Sequence, residues 1–226
     1  MIPLFGKAPN PIIRWEYFID EWDQIQRALI EHLELTVYAV TLGLVVSAGL
    51  SAIALRFRKT ATPINGFTAF LYTIPSVALF GILVPYFGLS RFSAVLPLAA
   101  YTLLILVTNI VAGFNSVSPE VREAADGMGM TPARRILHIE LPLAMPYIVA
   151  GLRIAVVSTV GLVTVAAIIG QGGLGRLILD GLRRAFWTPM TIGAGLSILL
   201  ALALDGLILG AGRWLTPWAR RGKSAL

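Results

Sequence analysis

The stretch LTVYAVTLGLVVSAGLSAIAL, residues 35–55, contains no charged side chain. Its length matches the roughly 20 apolar residues that a helix needs to cross the hydrocarbon core of a bilayer. Four more uncharged stretches of similar or greater length follow, at residues 60–90, 92–119, 154–175 and 185–204. Their number and length predict a protein that crosses a membrane several times.

The composition of the whole chain agrees with this prediction. Of its 226 residues, 57% are hydrophobic and 13% are charged, whereas soluble domains carry roughly 25% charged residues. The apolar stretches are too long and too uniform for the alternating strands of a membrane barrel. We therefore predict an all-α membrane protein with about five transmembrane helices. We expect them at residues 34–55, 64–86, 93–114, 146–168 and 190–211.

The chain offers little for catalysis or metal binding. It has no cysteine, which excludes disulfides, thiol catalysis and cysteine-ligated metal centres. His32 and His138 are far apart and lack an H-E-x-x-H context, so we interpret them as neutral surface or interfacial side chains. We expect no bound metal and no cofactor on this chain. The net charge of +6 does not indicate nucleic acid, because the basic residues stand at the ends of apolar stretches.

The distribution of basic residues predicts the orientation in the membrane. Lysine and arginine concentrate on the cytoplasmic side of membrane proteins. Three basic groups would fall on one side of a five-span bundle: Arg56, Arg58 and Lys59; Arg122, Arg134 and Arg135; Arg213, Arg220, Arg221 and Lys223. We therefore place the N-terminus outside and the C-terminus inside. An external segment with Arg176, Arg183 and Arg184 disagrees with the rule.

The N-terminal segment precedes the first span. Residues 1–10 lack a basic start followed by an apolar core, so we expect no cleavable signal. Between Trp15 and Leu33, apolar residues recur at spacings of three and four with acidic residues between them. This pattern predicts an interfacial helix on the outer face or, alternatively, a helix that contacts a partner helix. We divide the chain into an external segment (1–30), a transmembrane domain (31–212) and a cytoplasmic basic tail (213–226).

A long polar connection, residues 116–146, separates the third and fourth spans and reads SVSPEVREAADGMGMTPARRILHIELPLAMP. Ser118 before Pro119 and Thr131 before Pro132 are both helix start signals. Gly127 and Gly129 are expected to end the first helix, and Pro142 the second. The connection therefore predicts a short helical hairpin at 116–145 on the cytoplasmic surface. Arg134 and Arg135 are expected to face water or a partner.

This loop resembles the signature of the permease subunits of binding-protein-dependent ABC importers. That signature reads EAA, three residues, G, nine residues, I, one residue, LP. The chain matches every fixed position and both gaps with Glu123, Ala124, Ala125, Gly129, Ile139, Leu141 and Pro142. The segments EHLELT from Glu31, TIPSVALFGILVPYFG from Thr73, AGLRIAVVSTVG and IGQGGLG extend the resemblance over most of the chain. Small residues in the loop also permit close approach to a partner surface.

The resemblance implies a type I importer permease fold, in which the seven residues couple the permease to an ATPase. It also implies several partners: two ATPase subunits that use ATP and Mg, a second permease copy or paralogue, and an external substrate-binding protein. The chain itself would then be a multi-pass transport subunit of the bacterial cytoplasmic membrane, not an enzyme. Within the family it looks like the osmoprotectant subgroup, which moves glycine betaine, carnitine, choline or proline by alternating access.

Other functions remain open at the level of sequence. The cargo could instead be an amino acid or another small solute, or the chain could be a non-conducting membrane scaffold for an ATPase. An ion-coupled carrier is disfavoured, because five spans without an internal repeat do not fit that class.

Two glycine motifs imitate nucleotide sites. Gly170, Gly172 and Gly175 satisfy G-x-G-x-x-G but lack the parallel sheet that the dinucleotide fingerprint needs. They predict a tight turn at the outer end of span four. Residues 222–224 read Gly-Lys-Ser but lack the rest of a phosphate-binding loop. Hydrolysis of ATP is therefore expected on another polypeptide.

Polar residues within the apolar stretches are candidates for the translocation path or its gating. They are Thr73, Pro75, Ser76, Arg153, Gln171 and Asp205. Packing kinks explain the proline region equally well. Arg153 and Asp205 would each lie some 10–12 Å from the inner boundary, at about 1.5 Å per residue, so we predict that they pair. Asp205 could alternatively be tolerated within the span as a protonated side chain or through a partner on a second permease.

Overall fold

The computed structural model describes residues 13–218, and between them the chain is helical with no strand. The α-helices are α1 (Trp15–Asp20), α2 (Trp22–Arg56), α3 (Ala61–Thr73), α4 (Ser76–Phe87), α5 (Arg91–Asn115), α6 (Pro119–Gly127), α7 (Pro132–Arg135), α8 (Leu141–Val165), α9 (Leu174–Arg183) and α10 (Trp187–Leu215). Shorter 3₁₀ turns occupy Arg58–Thr60 and Ala166–Ile169, and a π-helical turn occupies Ile136–Glu140. Residues 1–10, for which no cleavable signal is expected, lie outside the described residues, as do Arg220, Arg221 and the Gly-Lys-Ser triplet at 222–224.

Four of the predicted spans are continuous helices. The segments long and apolar enough to cross a membrane are Trp22–Arg56, Arg91–Asn115, Pro132–Ile169 and Trp187–Leu215. They contain the predicted spans at 34–55, 93–114, 146–168 and 190–211. The all-α prediction is therefore confirmed for the described part of the chain.

The second predicted span is not one helix. The expected continuous helix at 64–86 is wrong, because the chain bends by 92° between the segments Arg58–Thr73 and Ser76–Phe87. Pro75 lacks a backbone N–H and disfavours helical geometry at the residue before it. Ile74 accordingly has an extended ψ of 128°. The Tyr101 hydroxyl donates to the freed Ile74 carbonyl, so the bend has a polar partner on α5.

Helix α5 lies at the centre of the bundle and contacts α2 and α8. Glu34 pairs with Arg91 at 2.9 Å, and Gly43 lies against Thr102, so α2 and α5 run side by side in the same direction. Gly113 lies against Ala144, which makes α8 antiparallel to α5. Small residues allow this close helix packing where lipid supplies no hydrophobic driving force.

The parallel arrangement determines how the bent segment must run. From Glu34 to Arg56, α2 rises about 33 Å at roughly 1.5 Å per residue. Arg91 lies beside Glu34, so the chain between Arg56 and Arg91 must travel back the same distance along the axis of α2. That distance equals the thickness of a bilayer core, about 30 Å. Helices α3 and α4 together therefore form a broken span, which brings the number of spans to five.

The predicted helix at residues 15–33 is divided into two helices. The chain breaks at Glu21, and the part after it is the first third of α2. Its apolar residues Ile25 and Ala28 are buried against Leu174, Leu177 and Ile192 of α9 and α10. The predicted stripe is thus divided: Ile25 packs on helices of this chain, as the alternative of a helix contact expects, whereas Trp15, Trp22 and Leu33 are exposed, as an interfacial position expects.

The outer end of α8 turns sharply, as the glycine pattern predicts. Gly170, Gly172 and Gly173 all have positive φ values. A Cβ on Gly173 would lie 2.4 Å from the Ala28 carbonyl oxygen, so the turn packs directly on the backbone of α2. Helix α9 follows this turn and was not predicted. Its short apolar face fills the space between α2 and α10.

Single cysteines on either side of the bent segment test both topology and span number, since the native chain has none. Leu89 is 66% exposed between α4 and α5, and Lys59 is exposed before α3. We expect a membrane-impermeant maleimide on intact cells to label Leu89→Cys. Lys59→Cys should react only after permeabilisation. Labelling of both from one side would show that α3 and α4 re-enter without crossing, and the reverse pattern would invert the orientation.

Candidate functional site

The polar connection between α5 and α8 forms the short helix α6, and a second short helix, α7, begins at Pro132. Pro119 and Pro132 occupy first-turn positions of these helices, where a missing N–H costs nothing. The Thr131 hydroxyl caps α7 by accepting from the Arg134 N–H at 3.4 Å. Gly129 has a φ of +74° just after α6. Both helix starts and the first helix end are therefore where the sequence predicts them.

The expected capping bond of Ser118 is not made. A hydrogen bond from the Ser118 side chain instead lowers the pKa of the Glu120 carboxyl below its ordinary value, helped by the Glu120 backbone N–H. A carboxylate in the first turn also interacts favourably with the helix dipole. This contribution is present above the ordinary carboxyl pKa and is lost as the pH falls through the lowered one.

The prediction that Pro142 ends the second helix is wrong. The helical path runs from Pro132 to Ile169 without interruption. A π-helical turn at Ile136–Glu140 lies immediately before Pro142, where the Leu141 N–H bonds to the Ile136 carbonyl. This wider turn starts a new α-helical register, so Pro142 stands in the first turn of α8, where proline is tolerated. The connection is rigidly continuous with the fourth span.

The seven signature residues divide into an exposed group and a packed group. Glu123, Ala124 and Gly129 are exposed on one side of the connection. The others are less exposed: Ala125 is 1% exposed, and Ile139, Leu141 and Pro142 are half-buried, with Ile139 and Pro142 in a pocket beside Trp218. The exposed group is therefore the part that a partner can touch.

Four charged residues join the two arms of the hairpin. Arg135 Nε donates to Glu140 at 2.8 Å, and its Nη1 donates to both oxygens of Asp126 at 2.6 Å. The hydrogen bonds to Asp126 and then to Glu140 raise the pKa of Arg135 above its ordinary value. Arg122 Nη2 donates to the Phe114 carbonyl at 2.6 Å, and Arg122 Nε lies 3.4 Å from Glu140. The expectation that Arg135 faces water or a partner is wrong, because its carboxylate partners belong to this chain.

The predicted pairing of Arg153 with Asp205 is confirmed. The guanidinium Nε and Nη2 donate to the two carboxylate oxygens at 2.7 Å each. The two side chains are 34% and 27% exposed. They join α8 to α10 in a two-bond geometry that a snorkelling arginine would not have. Such a pair makes a charged aspartate tolerable inside a span.

A cavity of about 500 Å³ opens beside this pair between α8 and α10. Ser158 is its other polar wall residue, and the remaining lining side chains are apolar. A charged pair that is one third exposed at this depth faces a protein or aqueous environment in preference to lipid. The Arg153–Asp205 pair therefore forms part of the wall of this open cavity.

The other residues predicted for the path lie elsewhere in the bundle. Thr73, Pro75 and Ser76 stand at the bend between α3 and α4, and the Thr73 hydroxyl donates to Phe70 within its own helix. Gln171 lies in the outer turn and donates to the Leu89 carbonyl at 3.2 Å. The structure therefore brings together only Arg153 and Asp205 among the described contacts of the six residues.

The histidine interpretation is partly wrong. His32 is fully buried, and its Nε2 lies 3.1 Å from the Val160 carbonyl, because α8 and the glycine turn cover this part of α2. His138 is exposed, as expected. Within residues 13–218, no three histidine, aspartate or glutamate side chains are grouped so that they could hold a metal ion.

The bundle of long apolar helices and the exposed helical connection continuous with one of them define a multi-pass helical membrane protein. The chain belongs to the family of binding-protein-dependent transport system inner membrane components, whose profile matches residues 39–216. It is therefore a permease subunit of an ABC importer in the inner membrane. It is a transport subunit and not an enzyme, since ATP is hydrolysed by a separate chain in these systems.

Similar proteins agree with this assignment. The osmoprotectant import permease protein OsmW of Salmonella typhimurium is 37% identical over 89% of this chain and 96% of its own length. The choline transport system permease protein OpuBB of Bacillus subtilis is 35% identical over 83% and 86%. The structure of an amino acid ABC transporter has a TM-score of 0.72 at 21% identity, and the match covers 89% of this chain and 98% of that one. The MetNI methionine transporter gives 0.71 at 19%, with 88% and 97% covered. The type I importer fold is thereby confirmed.

The Arg153–Asp205 pair can be tested by a double-mutant cycle. Asp205→Asn and Arg153→Gln should each reduce ATP-driven uptake several-fold, because each leaves one polar group without its partner at a depth where an unpaired charge costs at least about 2.5 kcal/mol. The swap Arg153→Asp with Asp205→Arg should restore part of the loss. Uptake into proteoliposomes and the unfolding temperature are measured together.

The matched control is Glu34→Gln, which removes one carboxylate from the exposed Glu34–Arg91 pair at the outer end. Exposed pairs contribute about 0–1 kcal/mol, so this variant should transport normally. Strictly additive losses in the Arg153–Asp205 cycle would show that the contact has no role in transport.

Proposed function

We propose that this permease subunit moves a small zwitterionic or quaternary ammonium osmoprotectant into the cell by alternating access. The observation that carries the proposal is the set of relatives that match most of the chain. Besides the osmoprotectant and choline permeases, they include the glycine betaine/carnitine/choline permease OpuCB of Bacillus subtilis, at 33% identity over 85% of this chain. An ergothioneine transport permease/binding protein of Helicobacter pylori is 39% identical over 62% of this chain. Ergothioneine, like glycine betaine and carnitine, carries a quaternary ammonium and a carboxylate.

The proposed assembly contains two permeases, as identical copies or paralogues, with two ATPase subunits and an external substrate-binding protein. ATP and Mg would be used by the ATPases. We place the N-terminus of this chain outside and residues 116–145 and 213–226 on the cytoplasmic side, as the basic residues indicate. The binding protein would select the cargo before delivery. The permease would then alternate between two arrangements that ATP binding and hydrolysis bias differently.

The coupling role is proposed for the signature residues. The exposed Glu123 carboxylate can accept hydrogen bonds from a basic group on the ATPase, while Ala124 and Gly129 leave room for a close surface. Ala125 is buried, and Ile139, Leu141 and Pro142 are half-buried. Closure of the ATPases would move this exposed group, and the continuous helical path from Pro132 to Ile169 would carry the movement into the membrane.

The path or gate is proposed at two places. Arg153 and Asp205 face the cavity between α8 and α10, where a paired cation and anion present no net charge to a zwitterion. Thr73, Pro75 and Ser76 form the bend of the broken span, and broken helices in transporters often lie beside the transported solute. Gln171 joins the outer turn to the start of α5 through Leu89. It would hold the outer end of the path.

Uptake by the reconstituted complex tests the cargo. The permease is purified with its ATPase and binding protein, placed in liposomes that contain ATP, and supplied with radiolabelled glycine betaine. We expect ATP-dependent uptake that carnitine, choline or proline reduces by competition. Uptake with only an ion gradient should be absent. Preference for an ordinary amino acid would replace the proposed cargo, and lack of uptake of any solute would favour a scaffold.

Two substitutions test the coupling site. Gly129→Glu adds bulk and charge at a positive φ, and Glu123→Lys reverses an exposed charge, so both should abolish close docking. We expect ATPase subunits to co-purify at least tenfold less with either variant, while membrane insertion is unchanged. Glu16→Lys, the same reversal on the exposed face of α1, should co-purify as the unmodified chain does. Normal co-purification and uptake in both coupling variants would refute the docking assignment.

A further inference from the structure

The charged residues behind the signature connect α6 to two spans at once. We infer that Arg122 and Glu140 are positioning residues that transmit movement of α6 to α5 and α8. This inference rests on the proposed docking of the hairpin on an ATPase. It goes beyond docking, because neither residue belongs to the exposed surface that a partner would touch.

Arg122 is the link from α6 to α5. Its Nη2 donates to the carbonyl of Phe114, in the last turn of α5, at 2.6 Å. Carbonyls of a last helical turn lack partners within the helix and carry partial negative charge, so a guanidinium binds them well. The Arg122 side chain is 28% exposed. The docking helix is thus held to the inner end of the third span by a charged hydrogen bond.

Glu140 is the link from α6 to α8. It is 6% exposed and stands at the end of the π-helical turn that leads into α8. Arg135 donates to one of its oxygens at 2.8 Å, and the other lies 3.4 Å from Arg122 Nε. A buried carboxylate needs such partners, and removal of one side of a buried pair costs several-fold more than loss of an exposed pair. The Arg122–Glu140 contact is an ion pair without a hydrogen bond, and it places Arg122 beside the start of the fourth span.

The two spans that receive these links are packed tightly at the same end. A Cβ on Gly113 of α5 would lie 2.9 Å from the Ala144 carbonyl oxygen of α8, and a Cβ on Gly151 would lie 2.5 Å from Asn109 Cβ. Close-packed helices of this kind move together more readily than they separate. A displacement of Arg122 would consequently act on α5 and α8 as one unit.

The backbone route from α6 to α8 is less direct. After α6 the chain passes through non-helical residues 128–131, including Gly129 at positive φ, before α7 begins. The other side-chain link, Asp126 to Arg135, is more exposed, since the Asp126 side chain is 52% exposed. Solvent screens such a pair. The contact of Arg122 with Glu140 is therefore the less solvent-exposed of the two side-chain links, although the Asp126–Arg135 link has shorter contacts.

Hydrogen exchange in the assembled complex, combined with uptake per ATP hydrolysed, tests this inference. The complex is compared with and without ATP and vanadate, and exchange is measured in peptides covering residues 119–127 and 141–151. In the unmodified complex we expect both segments to respond. In Glu140→Gln the first segment should still respond, the second should respond at most half as much, and uptake per ATP hydrolysed should fall at least tenfold.

Two further variants complete the experiment. Asp126→Asn is the matched control, because it removes an exposed carboxylate from the same cluster, and it should retain both responses and normal uptake per ATP. Arg122→Lys keeps the charge but cannot reach Phe114 and Glu140 together. It should therefore show the reduced response of residues 141–151 that is expected of Glu140→Gln, and it replaces that variant if Glu140→Gln does not assemble.

The outcomes separate this inference from the docking proposal. A first segment that does not respond to ATP in the unmodified complex would refute docking of the hairpin. A second segment that responds fully in both Glu140→Gln and Arg122→Lys would overturn the role of the two residues while leaving docking intact. Equal loss in Asp126→Asn would show that the cluster merely stabilises the hairpin.

Discussion

The side-by-side packing of α5 with α2 and α8 is the constraint on which the rest of this structure depends. Lipid offers apolar groups no gain from helix association, so contacts between small residues decide which helices are neighbours. Gly43 brings Thr102 close, and Gly113 brings Ala144 close. Because α2 and α5 run in the same direction, the chain between them has to cross the membrane. The broken α3–α4 span and the five-span topology follow from that requirement.

The same packing explains why the functional features lie where they do. The antiparallel contact of α5 with α8 places their joined ends together, so the connection between them projects from one end of the bundle. There it can present Glu123, Ala124 and Gly129 to a motor subunit while Arg122 and Glu140 hold it to the spans. Further along α8, Arg153 pairs with Asp205 of α10. A movement of α8 would therefore shift Arg153 relative to Asp205 and change the shape of the cavity beside them.

Much of this architecture could be predicted from the sequence, because bilayer thickness and helical rise are strong constraints. Uncharged stretches of sufficient length give four of the spans directly. The Arg153–Asp205 contact follows from counting residues inward from Pro146 and back from Arg213, since both side chains reach the same depth. The helix starts at Pro119 and Pro132 depend on local backbone geometry, which neighbouring residues determine.

The features that escaped prediction depend on contacts distant in sequence or on unusual local geometry. The bend at Pro75 depends on the Tyr101 hydroxyl, which lies on another helix. Glu140 meets Arg135, five residues away, beside a π-helical turn, whereas ordinary helical periodicity favours spacings of three and four. The burial of Ile25 and Ala28 depends on α9, whose few turns give little signal in an apolar chain. In each case a tertiary contact decides the structure.

The central claim is that residues 116–145 seat this permease on an ATPase, and site-directed cross-linking tests it most directly. A benzophenone maleimide attached to Ala124→Cys should form an adduct of permease and ATPase in native membranes upon illumination. The same reagent on Leu89→Cys, at the other end of the bundle, should form none. Absence of the adduct from position 124, or equal adducts from both positions, would contradict the account.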